Sequence, residues 1–280
     1  MALRIQEIQR SAGAPGGGPN EDRTGVAPIR GGLLGFVIDG ATSPDPTLRT
    51  GDGLAGEWLA ERVASTLMAN ARPGALRDQL RGAVEATGPS WRADTPEAWP
   101  DWAQPQGAIS LLRLSLDGDG LRLEGLHLGD CPAAILRSDG RIEALHAWHG
   151  TGPGAARRLT LSEAAQARMI LDLKAERARA LHEAPPRVLC LDPACAAGAT
   201  ASHGTLKAGD AVIVVSDGLA RAWNEYGLCT PEEGAQRLAG GGFETLLDDI
   251  RRFERTDYAE RPARLMRASD DASAVVIALS

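Results

Sequence analysis

Three acidic positions stand beside short apolar runs that predict buried strands. Asp39-Gly40 follows the run 36–38, Asp217-Gly218 closely follows the run 211–215, and Asp270-Asp271 precedes the run 273–277. Strands rich in Val and Ile are stiff, so carboxylates at their ends are held in place. Several carboxylates at one sheet edge repel each other unless a cation neutralises them. The pattern therefore predicts a site for a hard metal ion.

Three further acids have similar surroundings. Glu21 and Asp22 follow a Gly/Pro-rich loop, and Asp130 follows a glycine after an apolar run. Ligand sets made only of oxygen suit Mg²⁺ or Mn²⁺, whereas zinc normally recruits His or Cys. Two such ions about 3.5–4 Å apart can share a carboxylate and activate water for attack on a phosphoryl group. The cofactor that the sequence predicts is therefore Mn or Mg, as two ions.

Five short motifs stand in the order found in the PP2C-type (PPM) serine/threonine protein phosphatases, and the chain resembles the bacterial branch of that family over residues 3–279. The motifs are Asn20-Glu21-Asp22, Asp39-Gly40, Gly129-Asp130, Ser216-Asp217-Gly218 and Asp270-Asp271-Ala272-Ser273. The resemblance implies one PP2C-like domain over residues 1–280. It also implies an α+β fold, a four-layer α-β-β-α sandwich of two mainly antiparallel sheets flanked by helices.

The resemblance also implies a role for each acid. Asp39 resembles the ligand that bridges two metal ions, Asp217 and Asp270 resemble ligands of one ion, and Glu21 and the Gly40 carbonyl resemble ligands of the other. Asp22 resembles the acid that orients metal-bound water, and Asp130 the ligand of a third, weaker ion. The implied reaction is attack of a metal-bridging hydroxide on phosphoserine or phosphothreonine in proteins, with no covalent phosphoenzyme. Asp22 and Asp39 are thus the catalytic candidates.

The chain departs from the family pattern at three positions. Gly17 stands where many members have a phosphate-binding Arg, Ala41 where some have a His, and Arg221 where an acid often serves the third ion. Arg23 is the substrate-binding candidate near Gly17, with Arg10 and Arg30 as alternatives. Arg221 is a second candidate for binding phosphate, although its charge could instead exclude a third ion.

Charge, hydropathy and cysteine content indicate which partners the protein can bind and in which compartment we expect it. The net charge is −7 and no long basic run occurs, which argues against a nucleic-acid surface. No apolar run reaches the length of a membrane span, and residues 1–10 do not resemble a signal peptide. Four cysteines without CxxC spacing predict reduced thiols in a cytoplasmic protein. The Gly, Ala and Arg content is typical of a bacterial protein, and we expect a monomer.

Hydrophobic periodicity predicts the elements that position these acids. An Asp-Gly turn between two alternating runs favours a hairpin, and the adjacent helices argue against a parallel sheet. The predicted strands cover residues 3–10, 24–29, 33–39, 109–116, 121–128, 133–136, 188–191, 211–215 and 273–279. The predicted helices cover residues 51–68, 76–86, 161–183, 217–224, 231–239 and 242–256, with an irregular stretch over 91–105.

Two other functions stay open beside the protein phosphatase. One is a catalytically weak PP2C-like module that binds phosphorylated partners, which the residues at positions 17 and 41 favour. The other is a metal-dependent hydrolase of a small phosphate ester. A thiol nucleophile at Cys195 with His203 lacks an orienting motif, and neither a GxSxG nor a Walker A motif is present.

Overall fold

Eleven strands and seven α-helices make up the part of the chain that the computed structural model describes. That part comprises residues 2–12, 19–45, 47–51, 53–95, 99–118, 120–149, 163–257 and 269–280. The strands are β1 (Leu3–Arg10), β2 (Asp22–Ile29), β3 (Gly32–Gly40), β4 (Gln106–Asp117), β5 (Gly120–Leu128), β6 (Ala133–Leu136), β7 (Ile142–His146), β8 (Leu189–Cys190), β9 (Thr200–Leu206), β10 (Ala211–Val215) and β11 (Ala272–Leu279). The helices are α1 (Ala55–Ala69), α2 (Leu76–Asp94), α3 (Glu163–Leu181), α4 (Cys195–Gly198), α5 (Asp217–Asn224), α6 (Pro231–Ala239) and α7 (Phe243–Asp257), with a 3₁₀ turn at Asp101–Ala103.

The strands form two sheets, and every pairing within them is antiparallel. The first sheet has the order β1-β11-β10-β6-β7. The second has the order β2-β3-β4-β5-β9, with β8 added beside β4. Antiparallel hairpins need only short connections, which agrees with the turn signals in the sequence.

Alternation along the strands divides the apolar side chains among three layers of core. On β3, Phe36 and Ile38 pack against α1 and α2, whereas Val37 faces the other sheet. On β10, Val215 packs against α5 and α7, whereas Val214 faces the second sheet. The layers therefore run helix, sheet, sheet, helix, and the predicted four-layer α+β sandwich is confirmed.

Several predicted boundaries were wrong. The helix predicted to end at residue 86 continues through Pro89 to Asp94, so the stretch predicted to be irregular from residue 91 begins as helix. Trp91 is buried and packs edge-on against Trp58 and Trp99, with ring centroids 4.9 and 5.3 Å away. This packing offsets the backbone hydrogen bond that a proline removes from a helix. Strands β7 and β9 were not predicted, because their side chains are mostly polar or partly exposed.

None of the helices in the described ranges combines the length and the apolar character needed to cross a bilayer.

Candidate active site

One cavity of about 560 Å³ opens where the two sheets meet, and strand ends from both sheets line its acidic wall. The second sheet contributes Asp39 and Gly40 from the end of β3, and Asp130 from the turn after β5. The first sheet contributes Asp217, which follows β10, and Asp270, which precedes β11. Arg221 of α5 also lines the cavity. Six of the nine predicted site residues therefore lie together.

Backbone hydrogen bonds fix the end of β3 where Asp39 stands. Asp39 is in register with Asp22 on β2 and with Ala108 on β4. The Gly40 amide donates to the Glu21 carbonyl over 2.9 Å. A Cβ on Gly40 would lie 2.5 Å from the carbonyl oxygen of Gly56, so only glycine fits between this strand end and α1.

The other strand ends are held just as firmly. The Ser216 amide donates to the Ser273 carbonyl over 3.1 Å, and the Ser273 amide donates to the Ser216 hydroxyl over 3.0 Å. These bonds join the start of α5, where Asp217 is the first residue, to the start of β11. Arg251 of α7 donates to the Asp270 carbonyl over 2.6 Å. The two acids are thus placed by backbone contacts, and their side chains point to a common cavity.

Glu21 and Asp22 lie beside the cavity without lining it. Both are about 1% exposed. Thr42 donates its hydroxyl hydrogen to Glu21 Oε2 over 2.6 Å, which ties the residue to the chain just after Gly40. Asp271 accepts the amide hydrogens of Ala12 and Glu21 over 2.7 and 2.6 Å. Asp271 therefore holds the backbone at Ala12 and Glu21 close to the start of β11.

Burial and mutual repulsion dominate the electrostatics of the acids. Burial raises the pKa of Asp39 well above its ordinary value, and the charges of Asp22, Asp217 and Asp270 raise it further. Burial raises the pKa of Asp217 to about 7, with Asp270 adding to the increase and Arg221 opposing it. Burial likewise raises the pKa of Asp22, against the lowering effect of the Ser216 hydroxyl. Such a cluster is unfavourable in itself and is relieved by added positive charge.

Arg221 brings positive charge into this cluster. Its guanidinium forms an ion pair with Asp270 and lies 3.8 Å from Asp217 Oδ2 and 3.9 Å from Glu225 Oε1. Burial alone would lower the pKa of Arg221, but Asp270 and Asp217 together raise it. The sequence left two roles open for Arg221, phosphate binding and exclusion of a third ion. In the structure its guanidinium is paired with carboxylates.

The structure places Arg23 away from the cavity. Arg23 donates to Glu61 over 2.6 Å and to the Asn20 and Asp22 carbonyls over 2.5 and 2.7 Å. It lines a separate hollow of about 360 Å³ beside α1. Its backbone neighbours the acids, but its side chain lies on the α1 surface, so Arg23 does not line the cavity and its assignment as a substrate-binding residue stays a prediction. Gly17, the position of the missing arginine, is outside the described residues.

Sequence reasoning missed Arg177, which lines the same cavity as Arg221. Arg177 lies on α3, is 7% exposed and lines the cavity together with Thr42 and Gln106. The sequence predicts the helix but holds no signal for which of its residues face the acids, because that depends on how the helix packs across the 3₁₀ turn.

The acidic wall has the chemistry of a hard-cation site. Its donors are carboxylates and a backbone carbonyl, they are buried, and they repel each other. Within the described ranges, no three His, Cys, Asp or Glu side chains converge closely enough to hold one ion as they stand. The donor types fit Mg²⁺ or Mn²⁺, and binding would require the carboxylates to turn towards a shared centre.

Comparisons with solved structures show the same fold in other proteins, among them two bacterial serine/threonine phosphatases. The Streptococcus agalactiae serine/threonine phosphatase is 14% identical, with a TM-score of 0.53 and all of both chains covered. The Staphylococcus aureus phosphatase Stp1 is 14% identical, with a TM-score of 0.51, covering 100% of this chain and 96% of that one. RsbX, solved in complex with magnesium, is 11% identical, with a TM-score of 0.51 and coverage of 99% and 96%.

A search of curated proteins found no match. The protein phosphatase 2C family model, in contrast, matches residues 14–265, which includes four of the five motifs in full and the described walls of the cavity except those contributed by Asp270. This match spans far more than half of the chain and agrees with both the motif order and the fold, so the chain belongs to the protein phosphatase 2C family.

Proposed function

We propose that this protein is a metal-dependent phosphatase that hydrolyses phosphoserine and phosphothreonine in proteins. The observation that carries the proposal is the gathering of Asp39, Asp217 and Asp270 from two different sheets around one cavity. Membership of the protein phosphatase 2C family supports the reaction. The magnesium carried by RsbX, which shares the fold, supports the choice of ion.

We assign the metal-holding residues from the acids around the cavity. Asp39 would bridge two ions, Asp217 and Asp270 would hold one of them, and Glu21 with the Gly40 carbonyl would hold the other. Mn or Mg ions bound there would supply an activated water and neutralise the charge of the phosphoryl group, which would allow the phosphoester to be hydrolysed without a covalent phosphoenzyme. Asp130, on the same wall, is the candidate for a weaker third ion.

The chain's own residues position the reactants. Asp22, buried and in register with Asp39, is assigned to orient the attacking water. The glycine at position 40 would let its carbonyl approach bound ions with no Cβ in the way. A cavity of about 560 Å³ has room for a phosphorylated side chain carried on a protein segment. The partner that we propose is accordingly a phosphorylated protein.

Asp39→Asn tests the proposal, because it removes a charge at nearly constant shape. We expect hydrolysis of a phosphothreonine peptide in millimolar Mn²⁺ by the wild type, with kcat/KM at least about 100-fold lower in Asp39→Asn. Asp117→Asn, at the exposed end of β4, is the matched control and should be fully active. Calorimetry with Mn²⁺ should give two ions for wild type. A wild type that binds Mn²⁺ but hydrolyses no phosphoester would overturn the proposal.

A second candidate is a phosphoprotein-binding module with weak turnover. The ion pair between Arg221 and Asp270 favours it, because a guanidinium beside two metal-ligand candidates competes with a cation for them. Tight binding of the phosphothreonine peptide without hydrolysis would support this candidate. Arg221→Gln separates the two further, since it should strengthen Mn²⁺ binding if the guanidinium competes with the ion.

A further inference from the structure

We propose that Arg177 of α3 binds the phosphoryl group of the substrate, in place of an arginine before Glu21. This inference rests on the proposed function, because it assigns a substrate contact within the same cavity. The sequence pointed to Arg23 and Arg221 for this role, and Arg177 lies some 150 residues further along the chain than Arg23. Three observations lead to it: where the guanidinium lies, how its donors are used and what charge surrounds it.

The guanidinium of Arg177 is locked in place at the cavity wall. Its Nε donates to the Trp102 carbonyl over 2.9 Å, and its terminal nitrogens donate to the carbonyls of Gln104 over 3.3 Å and Thr42 over 3.5 Å. In return, Gln106 Nε2 donates to the Arg177 carbonyl over 2.9 Å. These contacts fix the rotamer, and Thr42 is only three residues beyond Asp39. A fixed cation beside the acids is pre-organised to receive an anion.

Hydrogen-bond capacity remains after these contacts. A guanidinium has five N–H donors, and the three carbonyl contacts use one on each nitrogen. Each terminal nitrogen therefore keeps a second N–H. Two parallel N–H donors are the geometry with which arginine binds phosphate oxygens.

The positive charge of Arg177 is not cancelled by an ion pair. Among the described residues, no carboxylate lies within ion-pair distance of it, whereas Arg221 has three such partners. Burial lowers the pKa of Arg177 to about 10, and the charge of Glu21 partly opposes this, so the side chain is charged at neutral pH. A buried cation that contacts only neutral carbonyls gains strongly from a dianion. This difference separates Arg177 from Arg23 and Arg221, which both form ion pairs.

Inorganic phosphate is the probe that tests Arg177, because its binding can be measured apart from turnover. We expect calorimetry on the Mn²⁺-loaded protein to show phosphate binding about 10- to 100-fold weaker in Arg177→Gln than in wild type, as for the loss of a charge-assisted contact. Mn²⁺ binding itself should not change. With a phosphothreonine peptide, KM should rise more than kcat falls.

Arg77→Gln is the matched control. Arg77 also donates to three backbone carbonyls, those of Ala196, Ala197 and Ala199, but it lies on α2 away from the cavity. Both variants lose hydrogen bonds to three backbone carbonyls, but only Arg177→Gln should lose affinity for phosphate. If Arg177→Gln fails to fold, Arg177→Lys keeps the charge without the paired donors and should show a smaller loss of phosphate affinity.

The outcomes distinguish this inference from the proposed function. Wild-type affinity in the Arg177 variants, equal losses in Arg77→Gln, or a wild type that binds no phosphate would each overturn the assignment of Arg177. If wild type binds phosphate through Arg177 and hydrolyses no phosphoester, the assignment stands and the phosphatase proposal fails.

Discussion

The individual residues of the site differ in how far local sequence reveals them. Asp39 and Asp217 are readable because each follows a Val/Ile-rich strand and precedes a glycine, so the pattern states both the side chain and its position. Arg177 has no such pattern. Its role depends on carbonyls at positions 42, 102 and 104, which come from other elements. Local sequence therefore predicted the acids and missed the arginine that lines the same cavity.

His127 allows a test of burial at the scale of a single residue. It is 1% exposed, and each ring nitrogen lies 2.8 Å from a hydroxyl, Nδ1 from Ser110 and Nε2 from Ser202. Since the Ser110 hydroxyl donates to the Cys131 carbonyl, Nδ1–H donates to Ser110, and in the neutral ring Nε2 accepts from the Ser202 hydroxyl. Burial, helped by the stacked His146 ring, lowers the pKa of His127 to about 3.

This depressed pKa sets the sign of a pH effect on stability. Below about pH 6.5 the unfolded chain protonates His127 while the native protein does not, so its contribution is present above pH 6.5 and is lost as the pH falls towards 3. Between pH 6.5 and 5 the loss is about 2 kcal/mol. In urea unfolding, His127→Asn should remove that part of the decline in the free energy of unfolding at low pH. For the control His203→Asn, at an exposed position, the free energy of unfolding should fall with pH as it does for wild type. Parallel declines in all three proteins would contradict the prediction.

At the scale of elements, strands and helices were predicted correctly where the hydrophobic periodicity of the sequence matches the burial of the side chains. The runs of β3, β10 and β11 are apolar on both faces because each lies between a helix layer and the other sheet. Prediction failed where packing overrides a local rule. Helix α2 passes Pro89 because Trp91 is buried beyond it, and polar β9 forms because β5 offers it a free edge. Neither cause is visible within a short window of sequence.

Gly40→Ala tests the contact between β3 and α1. The added Cβ would lie 2.5 Å from the Gly56 carbonyl oxygen and 2.8 Å from that of Glu21, so the strand end must move. We expect a loss of about 1–3 kcal/mol in the free energy of unfolding, together with a lower kcat from a displaced Asp39. The control is Gly82→Ala at an exposed position of α2, where a Cβ meets nothing within 4 Å. It should gain about 0.5–1 kcal/mol. Equal effects in the two variants would argue against the close contact.

The whole molecule brings together acids that neither sheet could gather alone. Asp39 belongs to the second sheet and Asp217 follows a strand of the first, and the apolar layer containing Val37, Val214 and Val275 holds the two sheets against each other. The acids lie at the edge of that apolar layer, where the cavity begins. Motif order indicated which acids belong together, but only the packing of the sheets puts them within one cavity.

A metal ion held by acids of both sheets would join the two halves of the sandwich, which leads to a prediction about unfolding. If residues 1–280 form one domain, Mn²⁺ at about 100 times its dissociation constant should stabilise it by about 2.7 kcal/mol and raise the midpoint of a single thermal transition by roughly 5–10 °C. Both sheets gain equally, because the ion binds only when they are together. Amide hydrogen exchange should therefore slow in β3 and β10 alike on addition of Mn²⁺, and EDTA should reverse the effect.

The two aspartate variants provide the control. Asp39→Asn should lose the rise in thermal midpoint on addition of Mn²⁺, and Asp117→Asn should keep it. Two separate transitions, or protection confined to one sheet, would show that the ion does not link the sheets.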